Sequence, residues 1–336
     1  MIKYVDAQDP RFWGLLAQLG SETGWQSPLH TRSSLNYYQQ RPRDDGNKIS
    51  DRSFVMLWEN QPVAAFVGAL VGRSDEKQDL LAFEIPCHVI ENIGKLTTAV
   101  SKRFIREIDA ILREVSGVVR FRDFLVSGRV SAFSQYLLSK GGSASPAFSK
   151  VIDLSNEEAY LKAQLRKSYG SLVNWGIREL NPVVVGKDNV TWEMVEEFRQ
   201  LHIREAGRET RSEASWKRQY EMVQAGEAFL VFGRLEEQLV SAGLFICSDT
   251  TCFYGVSASR RDLFEKPLFH SLMWVAIRYA KKNKCQYFDV GEQHYPNHPQ
   301  SIRPTRKELG ISEFKAGFGG DTKISLDILF ENSVCK

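Results

Sequence analysis

Tyr287–Glu292 reads YFDVGE and Leu309–Gly320 reads LGISEFKAGFGG, joined by a polar, proline-bearing connection. The first run is a strand pattern that places Asp289 and Glu292 where the chain leaves a sheet. The second sets Lys315 beside Phe314 and in front of the glycine-rich turn Gly317, Gly319 and Gly320. An acid at a strand end, a lysine, and glycines that admit close approach to the backbone suit a group-transfer site better than a plain apolar core.

Working outward from that region, Lys266–Lys281 has helical spacing and Cys285–Val290 reads as a strand. Before them come helices at Thr191–Ala206 and Glu213–Ala225, then strands at Ala228–Arg234, Gln238–Cys247 and Thr251–Val256. The first half shows similar grammar: a helix near Asp9–Leu19, strands at Arg52–Glu59, Gln61–Val71 and Asp79–Ile85, a helix at Leu96–Val115, a strand at Val118–Val126 and a short helix at Arg129–Lys140. Two β-β-β-α-β runs predict an internally duplicated α/β protein with mixed, mostly antiparallel sheets flanked by helices. The Ser-, Gly- and Pro-bearing stretch Gly141–Ser149 is the expected boundary, giving domains 1–148 and 149–336, with a new helix capped near Ser155 and Glu158.

Composition narrows the function classes. With 336 residues, two domains can each bury a core. The net charge of +3 permits RNA as a partner without requiring it, because nucleic-acid affinity comes from clustered charge. The five cysteines, Cys87, Cys247, Cys252, Cys285 and Cys335, form no CxxC pair, so neither a zinc site nor a disulfide framework is expected. His294 and His298 are four apart but lie among prolines, which removes the helical geometry a metal pair would use. No signal-peptide pattern or run of 18 apolar residues occurs, and the expectation is a cytoplasmic protein with no integral membrane segment. No GxGxxG follows a first strand, and GFGG lacks the GK[ST] of a phosphate loop.

Several readings stay open at the candidate residues. Asp289 is either a base for an attacking amine or a cap on Gly291; Glu292 either assists proton removal or is a solvated loop residue. Lys315 is either a cation for a leaving oxygen, phosphate or carbonyl, or an exposed turn lysine. Arg260 and Arg261, before a helix beginning near Leu268, either hold an anionic donor or mark an ordinary basic loop. Arg166, Lys167 and Arg178, with Tyr169 and Trp175, fit an RNA face or an interface equally well.

The order LFHSLMWVAIRYAKKNKCQYFDVGE, then LGISEFKAGFGGD, resembles the FemAB family of peptidyltransferases and, more broadly, acyltransferases of the GNAT superfamily, over about Val151–Asp327. The resemblance implies two tandem GNAT-like domains, the first degenerate, and transfer of an activated acyl or aminoacyl group to an amine of a cell-envelope precursor or small metabolite. It implies that Lys315 and Phe314 meet the donor terminus, that Asp289 lies near the reacting groups, and that no cofactor is permanently bound. Aminoacyl-tRNA and acyl-CoA both stand as donors. Where some members carry a long helical-hairpin arm proposed to engage tRNA, this chain has only short helices. A non-catalytic RNA- or precursor-binding protein is the competing class.

Overall fold

The computed structural model describes residues 1–24, 27–72, 77–297 and 303–331. The first half runs β1 (Ile2–Asp6), α1 (Phe12–Thr23), α2 (Arg32–Asp44), β2 (Lys48–Asp51), β3 (Phe54–Trp58), β4 (Gln61–Val67), β5 (Ala69–Gly72), β6 (Asp79–Leu81), β7 (His88–Glu91), α3 (Thr98–Leu112), β8 (Val118–Asp123) and α4 (Ala132–Ser139). It continues through β9 (Ser143–Asp153), α5 (Glu158–Ala163), α6 (Tyr169–Leu180), β10 (Val183–Val185), α7 (Trp192–Ala206), α8 (Glu213–Gln224), β11 (Ala228–Leu235) and β12 (Gln238–Cys247). The last elements are β13 (Thr251–Ser259), α9 (His270–Lys282), β14 (Tyr287–Gln293), α10 (Arg306–Ala316) and β15 (Asp321–Glu331). None of the described helices is long and apolar enough to cross a membrane.

Two compact units divide the chain: Met1–Gln26 with Tyr38–Ala147 and Ile324–Lys336, and Ser27–Tyr37 with Phe148–Lys323. The main division, between Ala147 and Phe148, falls within the expected stretch Gly141–Ser149, but there the chain runs in strand β9 instead of a linker, and the chain from Ile324 groups with the first unit. Ser, Gly and Pro mark loops only where the backbone lacks a ladder partner; here the chain from Ser143 is a strand despite Pro146, and from Phe148 it pairs with β14.

In the first unit, β1, β3, β4 and β7 form an antiparallel sheet. The expected strand Gln61–Val71 is split at Gly68, where an added Cβ would lie 2.5 Å from the Phe66 ring. After this break β5 joins β2 and β6, while β8 pairs parallel with β6 and antiparallel with β15 from Leu326. Helix α3 starts at Thr97, whose hydroxyl accepts from Val100 N, and buries Val100, Phe104, Ile108 and Leu112. They meet Phe54, Phe66, Phe121 and Phe133 in one core; each fully buried side chain of this size contributes about 1.5–3 kcal/mol.

In the second unit the strands run in the order β10, β11, β12, β13, β14, β9. Every pair is antiparallel except β13 with β14. A parallel pair needs a crossover, and α9 supplies it, burying Leu272, Met273, Ala276, Ile277 and Ala280 against the sheet. Gly176 of α6 lets that helix close on α9, since a Cβ there would meet Ser271 Oγ at 2.3 Å. The helix after the basic loop begins at His270, later than the Lys266 or Leu268 start read from sequence, because Pro267 follows a 3-10 turn at Arg261–Leu263. No Ser155 cap forms: Asp153 Oδ1 accepts from Ser155 N, and α5 starts at Glu158.

Candidate active site

The site is built on a fork between two parallel strands. β13 and β14 pair at Thr251↔Tyr287, Cys252↔Phe288 and Phe253↔Asp289, and no ladder joins them beyond that point among the described residues, although β13 continues to Ser259 and β14 to Gln293. Both strands change register here, β13 against β12 between Leu244 and Phe245, and β14 against β9 between Asp289 and Gly291. Bulges bend strands and re-aim side chains. The second one depends on Gly291, whose φ of +97° is a conformation side-chain-bearing residues rarely adopt.

Lys315 enters this fork from α10. That helix starts with a capping box in which Glu308 N donates to Thr305 Oγ1 at 3.2 Å and Thr305 N to Glu308 Oε2 at 2.7 Å. Its last turn is held from α6 and the turn before it: Tyr169 Oη donates to the Phe314 carbonyl at 3.0 Å, and the Arg166 guanidinium to the Glu313 carbonyl at 2.9 Å. Gly317 makes the closeness possible, since a Cβ there would fall 2.3 Å from the Tyr169 ring. Lys315 is thus a half-buried helical residue on a clamped final turn, in place of the exposed turn lysine that was the alternative reading.

The Lys315 ammonium donates a long hydrogen bond, 3.4 Å, to the Glu292 carbonyl and lies 5.9 Å from the Tyr254 ring centre. Burial holds its pKa below the ordinary lysine value, opposed by the charges of Glu292 and Asp289. Burial also raises the Tyr254 phenol to about 12, so it stays protonated. Phe314 packs in an aromatic group with Tyr169, His270 and Phe318. A half-buried cation at the mouth of a strand fork, on a rigid helix end, can stabilise negative charge developing on a bound carbonyl oxygen.

The structure brings Lys315, Phe314, Asp289 and Glu292 together and leaves Arg260 and Arg261 apart. Asp289 Oδ1 accepts from Gly291 N at 2.8 Å, so it caps the bulge, the structural reading of that acid. Glu292 presents its carbonyl, not its carboxylate, to Lys315; its carboxylate stands 4.0 Å from His294 Nε2. Arg260 bonds Asp262 and Gln238, and Arg261 N donates to Glu205. Six strand positions separate Arg260 from Tyr254, about 20 Å of extended chain. Gly319 and Gly320 have φ of +85° and +83° and admit close approach of Gln164 and Val151 backbone, which gives them a packing role. Tyr169 turns inward and Arg178 pairs with Glu179, so these residues do not form one basic face. Cys247 and Cys252 are opposed in the β12–β13 register, and burial raises the Cys252 thiol, which suits packing better than nucleophilic attack. His298 and Cys335 lie outside the described residues.

Tyr254 and Gly291 were not singled out from sequence. Tyr254 sits in a strand pattern like many tyrosines and carries no local mark. Gly291 does carry one, a glycine inside an otherwise strand-forming run, which is a bulge signal.

No protein-family model matches this chain, and no curated protein matches it. Among solved structures it is similar to FemX, with a TM-score of 0.70 at 10% identity over 97% of this chain and 96% of that one. It is similar to L-PGS from Bacillus licheniformis, with a TM-score of 0.60 at 14% identity over 97% and 93%. A tandem GNAT protein from the clavulanic acid biosynthesis pathway gives 0.53 at 14% identity over 98% of both chains. At these identities the likeness concerns the fold: α/β, with mixed, mostly antiparallel sheets flanked by helices in a GNAT-like architecture.

Proposed function

We propose that this protein is a FemAB-like N-acyl or N-aminoacyl transferase that moves an activated acyl group to an amine of a cell-envelope precursor or small metabolite. The observation that carries the reading is Lys315, brought by a clamped helix end into the open fork of β13 and β14. On the fork side, β13 beyond Phe253 has no ladder partner among the described residues, so an extended donor can add to it through backbone hydrogen bonds. Its ester or thioester carbonyl then lies near the Lys315 ammonium. The acceptor amine attacks that carbon and a C–N bond forms. The oxyanion is held by Lys315, the C–O or C–S bond breaks, and the proton lost by the amine passes to the leaving alkoxide or thiolate through water or a carboxylate. The tandem arrangement of two GNAT-like domains belongs to this proposal, supported by the shared strand, crossover-helix and strand order in the two units.

The test is transfer from labelled aminoacyl-tRNA and, in parallel, from labelled acyl-CoA, with an amine panel and a cell extract as acceptors. Product from either donor with the wild-type protein, lost in K315M, supports the reading, and the donor used distinguishes its two forms. Saturable binding of an aminoacylated RNA without product would favour the non-catalytic class. Equal product from K315M would remove Lys315 from the chemistry.

A further inference from the structure

The described cysteines are unevenly placed. Cys87 lies in the first unit, in a parallel bridge to Phe121 at the root of β7 and β8. Cys247, Cys252 and Cys285 converge in the second unit, at the end of the β12–β13 hairpin, and all three are free thiols.

The hairpin holds two of them face to face. Cys247 and Cys252 are partners in the antiparallel register. Ser248 N donates to Thr251 O at 2.8 Å, and Cys247 N turns away to Glu227 O at 2.7 Å, just before β11. These bonds make Cys247 and Cys252 a non-hydrogen-bonded pair, in which opposed Cα atoms come to about 4.5 Å and side chains lie closest. That separation is within the range a disulfide spans, about 4.4–6.8 Å. The thiols already meet: Cys247 shares one hydrogen bond with Cys252 and another with Cys285.

Access is graded across the group. Cys247 is half-buried beside the turn Ser248–Thr251, whereas Cys252 is fully buried. Cys285 is also buried, in the segment before β14, and has no register with β12. A reagent therefore reaches Cys247 first, and the thiol opposite it on the neighbouring strand is Cys252. The hydrogen bond with Cys252 holds the Cys247 thiol above its ordinary pKa, and burial does the same for Cys252. The first attack is slow for that reason. The second is intramolecular, so proximity offsets the scarcity of thiolate.

We propose that Cys247 and Cys252 are a reversible redox pair, oxidised by a small disulfide to a cross-strand disulfide at the end of the β12–β13 hairpin. Cys247 loses its proton and its sulfur attacks one sulfur of the reagent, whose S–S bond breaks to release one thiol. Cys252 then loses its proton and attacks the Cys247 sulfur of the mixed disulfide, and the second thiol leaves. The two cysteines give up two electrons, and the reagent takes these and the two protons as two thiols. The bond fastens β12 to β13 one residue before Phe253, the last residue of β13 paired with β14. The site is independent of the Lys315 reading.

The test is incubation of the native full chain with bis(2-hydroxyethyl) disulfide, alkylation of the remaining thiols and tryptic mapping. Cys247 and Cys252 share the peptide Leu235–Arg260, and Cys285 lies in another. That peptide should appear lighter by two hydrogens and free of alkyl groups, and should carry two alkyl groups when dithiothreitol precedes alkylation. The bond should be lost in C247S and kept in C285S, while C252A should retain the reagent as a mixed disulfide on Cys247. Should a variant fail to fold, the wild-type map decides. The proposal is overturned if both cysteines of wild type are alkylated, if the reagent stays on Cys247 of wild type, if Leu235–Arg260 is joined to the Cys285 peptide, or if folded C285S forms no bond.

Discussion

Each unit of this protein separates two parallel strands at the same stage of its topology, after a crossover helix, yet a lysine enters one fork and a carboxylate stays inside the other. At β13 and β14 the fork receives Lys315 from a helix that follows the second strand. At β7 and β8 it keeps a cavity with Glu91 inside, and the cations lining it are exposed. The strand geometry is a property of the sheet, since a parallel pair whose partners turn to other neighbours must open. The chemistry is set afterwards by whichever element is threaded past the opening. One backbone device thus opens beside a lysine in the second unit and beside a carboxylate in the first.

The comparison is tested most severely at Lys315. Replacing it by Met should lower transfer by about 10²–10³-fold, the scale seen when one preorganised oxyanion donor is removed. The melting temperature at pH 7 should not fall, because a desolvated ammonium opposes folding. A matching drop in melting temperature would mean that Lys315 is a structural residue. The pH profile sharpens the same point. The folded-state pKa lies below the ordinary 10.5, so activity that needs the ammonium should decline as pH rises through that lowered value. By linkage, wild type should gain stability relative to K315M over the window from that value up to 10.5. Lys315→Arg should carry the alkaline limb of the rate profile upward; a limb unmoved by this change would assign it to another group.

Gly291 gives the next effect. An alanine there must adopt φ near +97° and would place Cβ 2.8 Å from Lys315 Nζ. G291A should cost about 1–3 kcal/mol through backbone strain and reduce transfer about ten-fold by displacing the ammonium. Urea melts and initial rates on one preparation measure both. Loss of stability with unchanged rate would show that Lys315 does not need its present position.

How much of this was legible follows from the range over which each feature is encoded. Helix α9 and strands β11 to β14 have local periodicity, and Lys315, Phe314, Asp289 and Glu292 lie close in sequence to the strand end they surround. Helix α10 was missed because its apolar residues Leu309, Ile311 and Phe314 line no continuous stripe and only Ser312 is buried. The helix is held by the Thr305–Glu308 capping box, which the sequence does display, and by bonds from Tyr169 and Arg166, which it does not. Strand β15 was missed although Asp321–Glu331 pairs over six residues with β8. Its partner is more than two hundred positions away. For Asp289 the two readings, capping Gly291 and accepting an amine proton, use the same carboxylate, and the 2.8 Å bond from Gly291 N that shows the cap is a contact of the folded bulge, with no mark in the sequence. The β7–β8 fork was not read from sequence, because its lining comes from β7, α3, β8 and the start of α4, which only the fold brings together.

The smallest effect concerns Glu91. Its folded pKa is raised above the ordinary 4.5, so the fold holds that proton more tightly than the unfolded chain does. The sign follows directly: the favourable contribution is complete below 4.5 and is lost as pH rises through the folded value. E91Q resembles the protonated state at every pH and keeps an oxygen for Ala132 N. Wild type and E91Q should therefore melt together near pH 4.5, and wild type should melt lower by on the order of 1–3 °C at pH 7. The facing groups do not reverse this, since His88 is neutral over the whole window and Asp123 adds only negative charge. Equal melting of wild type and E91Q at pH 7 would show that the N–H groups of Ala132 and Phe133 at the start of α4 offset the burial of this carboxylate, and the resemblance between the two forks then stops at the backbone.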